Sequence, residues 1–88
     1  MTDKVAEAIA RGHRAEALLD DPLLVEAFDT LEKTYQAAWR DTKVAETEKR
    51  EWLFVAINLL GKVRDHIKEV ARNGRVEQAT LNMNKDSA

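Results

Sequence analysis

The stretch EKREWLFVAINLLGKVRDHIKEVARN, residues 48–73, carries the longest helical pattern in this 88-residue chain. Its apolar side chains recur at steps of three and four, which is the spacing of a helix face. One face holds Trp52, Val55, Ala56, Leu59, Val63, His66 and Val70, and a second face holds Leu53, Ile57, Leu60 and Ile67. A helix that is apolar over half of its circumference needs cover from two sides.

The two ends and the middle of this helix carry further signals. At 1.5 Å per residue the predicted rod is about 39 Å long. Asn73-Gly74 predicts its C-terminus, with Gly74 in the left-handed conformation that ends many helices. Gly61 lies inside the helix, where its conformational cost is tolerated if another backbone crosses closely. Thr42 and Thr47 are alternative N-caps in the connection 41–47.

Two shorter helices precede the rod. The first is predicted over about residues 4–19, and Gly12 weakens its middle by about 1 kcal/mol relative to Ala. The second is predicted over about residues 21–40. It starts at Asp20-Asp21-Pro22, where the acidic side chain caps the helix and the proline takes the first helical position. Its apolar seam is Leu24, Phe28, Leu31, Tyr35 and Ala38.

These lengths predict an all-α fold built on an antiparallel hairpin of residues 21–40 and 48–73. Residues 20–32 have a formal charge of −5 and residues 62–75 of +3, so the hairpin brings an acidic segment beside a basic one. The N-terminal helix is expected to pack across this hairpin. Residues 75–81 are expected to form a short extension of a single domain, 1–81, followed by a polar tail, 82–88.

The composition argues against most kinds of catalytic and metal-binding site. The chain has no cysteine, its net charge is −2, and its single serine, Ser87, lies in the polar tail. His66 and Glu69 stand in the reverse of the Glu-x-x-His order that di-metal helix bundles use. We therefore expect no enzymatic activity, no metal, no cofactor and no small-molecule substrate. The longest apolar run is too short to span a membrane, and no secretory signal is visible, so a cytoplasmic protein without a membrane partner is expected.

An uncovered apolar face predicts protein contacts. One hairpin and a short helix do not cover both faces of the rod, so we expect exposed apolar surface and a homo-oligomer. Trp39 and Trp52 are expected to stack and close the end of the hairpin. Phe54 points away from both faces and is expected to be exposed. The candidate interface residues are Trp52, Leu53, Phe54, Ile57 and Leu60.

A basic stripe lies along the end of the rod, at Arg64, Lys68, Arg72 and Arg75. Such a stripe can face a phosphate backbone or an acidic protein surface. The alternative is a solvated face that neighbouring carboxylates partly neutralise. This alternative is favoured because the chain has a net negative charge and no basic tail.

Three segments carry a resemblance: RGHRAEALL at 11–19, DPLLVEAF at 21–28 and LGKVRDHI at 60–67. Together with Leu31-Glu32, Tyr35, Ala38-Trp39 and Arg50-Glu51, they resemble a family of small helical proteins of tailed bacteriophages and prophages. That family is encoded among virion structural and DNA-packaging genes. The resemblance implies a non-enzymatic accessory or structural protein that binds the capsid, portal or packaging apparatus. Such a protein is made in the bacterial cytoplasm, and it either stays there or is incorporated in the virion.

Three functions remain open on the sequence. The first is a self-associating phage assembly protein that packs against another structural protein of the virion. The second is a small nucleic-acid-binding or packaging-recognition factor that uses the basic stripe. The third is an inhibitor of a host protein, in which the acidic run 20–32 imitates DNA.

Overall fold

The computed structural model describes residues 2–86 and consists of α-helices joined by short connections. Helix α1 spans Thr2–Asp20, α2 spans Pro22–Arg40 and α3 spans Thr47–Asp86. No strand occurs among the described residues, and α3 packs against both α1 and α2. The predicted all-α class is confirmed.

The corner between α1 and α2 is a single residue, Asp21. Its backbone N–H donates to the carbonyl of Leu18 at 3.2 Å. Pro22 takes the first position of α2, as predicted, where the missing N–H leaves no helical hydrogen bond unmade. Helix α1 runs through Gly12 without interruption.

Helix α3 begins with Glu46 in the N-cap position. The carbonyl of Glu46 accepts the first helical bond, from the N–H of Arg50 at 3.0 Å. The Glu46 carboxylate also accepts the N–H of Lys43 at 2.8 Å. The alternative N-caps predicted from the sequence are both wrong. Thr47 is already helical, and the hydroxyl of Thr42 donates to the carbonyl of Trp39 at the end of α2.

The described residues divide into two compact units, and α3 contributes to both. Unit 1 combines α1 with the part of α3 from Asp65 onward. Ile9 and Gln78 line one groove of this unit, and Leu18 and Ile67 line another, so the two helices are antiparallel. Helix α1 therefore packs on the segment of α3 that includes the predicted extension and tail.

Unit 2 is Pro22–Arg64, an antiparallel pair of α2 and the first half of α3. Phe28 meets Arg64 and Tyr35 meets Trp52, so residue numbers run in opposite directions along the two helices. This is the predicted hairpin. Its core is small: of the larger apolar side chains only Leu53 is buried, at 3% exposure.

Inside unit 1 the two helices touch backbone to backbone. A Cβ placed on Gly12 would lie 2.7 Å from the Cα of Gly74, and a Cβ on Gly74 would lie 2.7 Å from the Cα of Gly12. Real Cβ atoms do not approach that closely, so the crossing requires glycine on both helices. Ala15 and Ala71 lie three residues from these glycines on the two antiparallel helices, and both are buried, at 4% and 1% exposure.

This crossing explains why α3 does not end where the sequence predicts. Among the described residues no glycine has a positive φ, so the predicted C-terminal stop at Asn73-Gly74 is wrong. Gly74 is helical and makes room for α1. Helix α3 continues through residues 75–81 and through residues 82–86 of the predicted polar tail. Ser87 and Ala88 lie outside the described residues.

No other backbone in the described part of the chain crosses closely at Gly61. A Cβ on Gly61 would meet nothing within 4 Å. Gly61 and Gly74 thus lie in the same helix, one beside open space and one beside another backbone.

This contrast predicts opposite effects for the same substitution. Gly61→Ala should raise the free energy of unfolding by about 1 kcal/mol, since alanine favours a helix interior over glycine. Gly74→Ala carries the same helical gain but forces the helices apart, and it should lower the free energy of unfolding by about 1–3 kcal/mol. Urea denaturation of the two variants measures both changes. Equal stabilisation by the two substitutions would contradict the backbone crossing.

Candidate interaction surface

Aromatic contacts close the end of unit 2 near the connection. The rings of Tyr35 and Trp52 meet edge to face, with centroids 5.8 Å apart and planes at 83°. The guanidinium carbon of Arg50 lies 4.7 Å from the centroid of Trp39. The predicted stacking of the two tryptophans is therefore wrong, because each ring has a different partner. Trp52 nevertheless keeps 60% of its surface exposed.

One flank of unit 2 is closed by Arg64. Its Nη2 lies 3.3 Å from Oδ1 of Asp29, and its Nη1 lies 3.1 Å from Oε1 of Glu32. The same guanidinium is 5.0 Å from the ring centroid of Phe28. The sequence predicts that the acidic segment of α2 lies beside the basic end of the hairpin, and these contacts confirm it. Arg50, whose Nη1 donates to Oγ1 of Thr42 at 2.9 Å, extends this polar flank.

The first apolar face of α3 remains open within unit 2. Trp52, Val55, Leu59 and Val63, which we call the exposed row, follow one another at steps of three, four and four. Their exposures are 60%, 53%, 54% and 51%. The second apolar face contains Leu53, Ile57 and Leu60, and it is the face that α2 covers. The predicted exposure of apolar surface is confirmed.

Helix geometry places the exposed row on the flank opposite Arg50 and Arg64. In an antiparallel pair, positions rotated from the seam in the same sense lie on the same side of both helices. Ala27 and Leu31 of α2 are displaced from the seam in the same rotational direction as the exposed row of α3, and both are exposed. Unit 2 therefore has one flank that ion pairs close and one apolar flank.

The total surface agrees with incomplete burial. The chain exposes 7124 Å². A folded monomer of the same mass is expected to expose about 5,200 Å². The excess of about 1,900 Å² is more than twice the area that each partner contributes to a standard protein interface, about 800 Å².

The predicted interface residues lie in three different environments. Trp52 belongs to the exposed row. Leu53 is buried, and Ile57 and Leu60 are half-buried in the seam with α2, so these three side chains serve the core instead of an outer surface. Phe54 is 62% exposed and lies off both faces, as predicted.

Three members of the exposed row, Val55, Leu59 and Val63, are missing from the sequence-based interface set. A signal for them exists in the sequence. The covered positions of α3 continue at alternating steps of four and three, the heptad pattern of a helix seam. In unit 2 they are Leu53, Ile57 and Leu60. The spacing also places Val55, Leu59 and Val63 on one face of α3, but the register of α2 on α3 decides which of the two faces is open.

Carboxylates neutralise most of the predicted basic stripe. Arg64 is held as described above. In unit 1, Nη1 of Arg75 lies 3.2 Å from Oε1 of Glu16, and Nη2 of Arg72 lies 3.9 Å from Oε1 of Glu69. Lys68 makes no ion pair within the described part of the chain. These contacts favour a partly neutralised solvated face over a phosphate-binding stripe.

Among residues 2–86, no group of three or more His, Asp or Glu side chains converges in a way that could hold a metal ion. An open apolar groove of about 500 Å³ lies in unit 1, lined by Val5, Ala6, Ile9, Ala10, His13 and Leu81. His13 is its one titratable side chain, so the groove has the character of a packing surface.

No protein-family model matches this sequence, and no similar protein was found among the curated proteins or the solved structures. Within residues 2–86, no helix combines the length and the apolar character needed to cross a bilayer.

The contacts of Arg64 predict a stability difference along the basic stripe. Arg64→Met removes two carboxylate contacts and one ring contact of a side chain that is 25% exposed, and it should lower the free energy of unfolding by about 1 kcal/mol. Arg72→Met is the matched control. Its side chain is 67% exposed and its ion pair is long, so the change should be close to zero. Thermal denaturation of both variants checks this, and equal effects would contradict the role given to Arg64.

Proposed function

We propose that this chain is a non-enzymatic helical assembly protein that associates with itself and packs against another protein. The observation that carries the proposal is the exposed row on the open flank of unit 2. Four large side chains at helical spacing are more than half exposed there, beside exposed positions of α2. A contiguous apolar surface of this kind marks an interaction site in a folded protein.

Approximate free energies of burial and association indicate a modest affinity for self-association. Full burial of one such side chain stabilises by about 1.5–3 kcal/mol, so a half-exposed one offers about half of that. Four per chain give about 3–6 kcal/mol, and two chains give about twice as much. Association costs about 4–15 kcal/mol in lost freedom of motion. The balance corresponds to association in the micromolar range or weaker, where 1 μM corresponds to about −8 kcal/mol.

The setting we propose is the assembly of a tailed-bacteriophage particle, in the cytoplasm of the bacterial host or within the virion. Support comes from the resemblance carried by the segments at 11–19, 21–28 and 60–67. We propose a capsid or portal protein as the second partner, and Phe54 as part of the surface that meets it. Phe54 supports this because it is exposed and lies on a different side of α3 from the exposed row.

The two other functions have less support. A nucleic-acid-binding stripe would need free cationic groups, yet Arg64, Arg72 and Arg75 each face a carboxylate. A DNA-like acidic surface would need unpaired carboxylates on residues 20–32, yet Arg64 contacts two of the five, Asp29 and Glu32.

Self-association should depend on the exposed row and not on Phe54. Sedimentation equilibrium of the unmodified chain should show a mass that rises with concentration. Leu59→Gln should weaken this association at least tenfold, since it places an amide in the buried contact. Phe54→Gln is the matched control, because it makes the same kind of change at a similarly exposed side chain off the row, and it should leave self-association unchanged.

Two results would contradict the proposal. One is a compact monomer at high micromolar concentration of the unmodified chain. The other is equal weakening by Leu59→Gln and Phe54→Gln. For the assembly setting, mass spectrometry of purified particles should detect the chain, and particles that lack it during a productive infection would refute its incorporation.

A further inference from the structure

Two opposite charges flank the exposed row at its two ends. Glu51 adjoins the N-terminal end beside Trp52, and Lys62 adjoins the C-terminal end beside Val63. The two are eleven residues apart, which is three helical turns, so they lie on the same flank of α3. Both side chains are exposed, and neither makes an ion pair within residues 2–86.

This charge arrangement distinguishes the possible pairings of two copies. In a parallel pairing through the exposed row, opposite flanks of the two helices meet, so Glu51 and Lys62 of one copy would face neither of these residues in the other copy. In an antiparallel pairing, each end of the row meets the opposite end of the other copy. Like flanks of antiparallel helices meet, so each Glu51 would face a Lys62 across the contact. Glu51 and Lys62 therefore attract each other across the contact only in the antiparallel arrangement.

We infer that two copies of unit 2 pair antiparallel through their exposed rows, around a twofold axis near the middle of the row. This inference rests on the proposed self-association and adds the partner, its orientation and its charge contacts. Trp52 of one protomer lies opposite Val63 of its partner, so a large side chain meets a smaller one. Glu51 of one protomer and Lys62 of the partner protomer are then displaced along the helix axis by about two residues, or about 3 Å, which a lysine side chain spans.

Area and symmetry agree with this pairing. A standard interface needs about 800 Å² from each partner. The excess of about 1,900 Å² is summed over both units, and the exposed row contributes part of it. A twofold contact uses the same patch on both copies and is closed, so this surface produces dimers and not open filaments. Each dimer places two helix pairs against each other as a four-helix arrangement.

Charge reversal tests the orientation. Dimer dissociation constants are measured at low salt by sedimentation for Glu51→Lys, Lys62→Glu and the double variant. Each single reversal creates two like-charge contacts and should weaken dimerisation about tenfold, and the double variant should return to within about threefold of the unmodified chain. High salt should reduce these differences.

The controls carry the same charge changes on the outer face of α2. Glu26→Lys and Lys33→Glu lie seven residues apart there and should leave dimerisation unchanged. The possible results distinguish a wrong orientation from a wrong function. Association that depends on Leu59 but shows no rescue in the double variant overturns the antiparallel orientation and leaves the assembly function standing. A monomer under all conditions overturns both.

Discussion

Helices α2 and α3 pack along a single seam, so α2 can bury only one face of α3. The organisation of unit 2 follows from this constraint. Helix α3 carries two apolar faces along its first half, while α2 can cover only one of them. The covered face holds Leu53 and its heptad neighbours, and the other face stays open with more than half of each large side chain exposed. A third helix would normally fill that place. Unit 2 contains only two helices, so its own elements leave this face open, and the self-association proposed above would cover it.

The two flanks of unit 2 differ in polarity. Arg64 contacts Asp29, Glu32 and Phe28 on one flank, and Arg50 covers Trp39 on the same flank. These contacts satisfy the charges within the chain, so that flank offers little to a partner. The opposite flank has the exposed row and the exposed small and apolar positions of α2. Association through it buries apolar surface without breaking any of these ion pairs.

Sequence reasoning predicts the helices, the start at Pro22, the hairpin, the two apolar faces and the charge contact at Arg64, because each follows from local spacing or summed charge. It misplaces the end of α3, because Gly74 has two compatible meanings. A glycine after an asparagine is typical of a helix end, and it is equally what a close backbone crossing needs. Only the contact with Gly12 decides between them, and that contact is sixty-two positions away along the chain. A contact between distant parts of the chain also decides which surface is open. The spacing of apolar residues reveals two faces of α3, but the register of the helix pair decides which of them α2 covers.

The most direct test of an open face that only another copy covers is the environment of Trp52 itself. Trp39→Phe leaves Trp52 as the single tryptophan and retains an aromatic ring beneath Arg50. Its fluorescence should lie at short wavelength in concentrated solution and move to longer wavelength on dilution, while circular dichroism shows that the helices persist. Emission typical of a solvated indole at every concentration, from a chain that stays folded, would contradict the account.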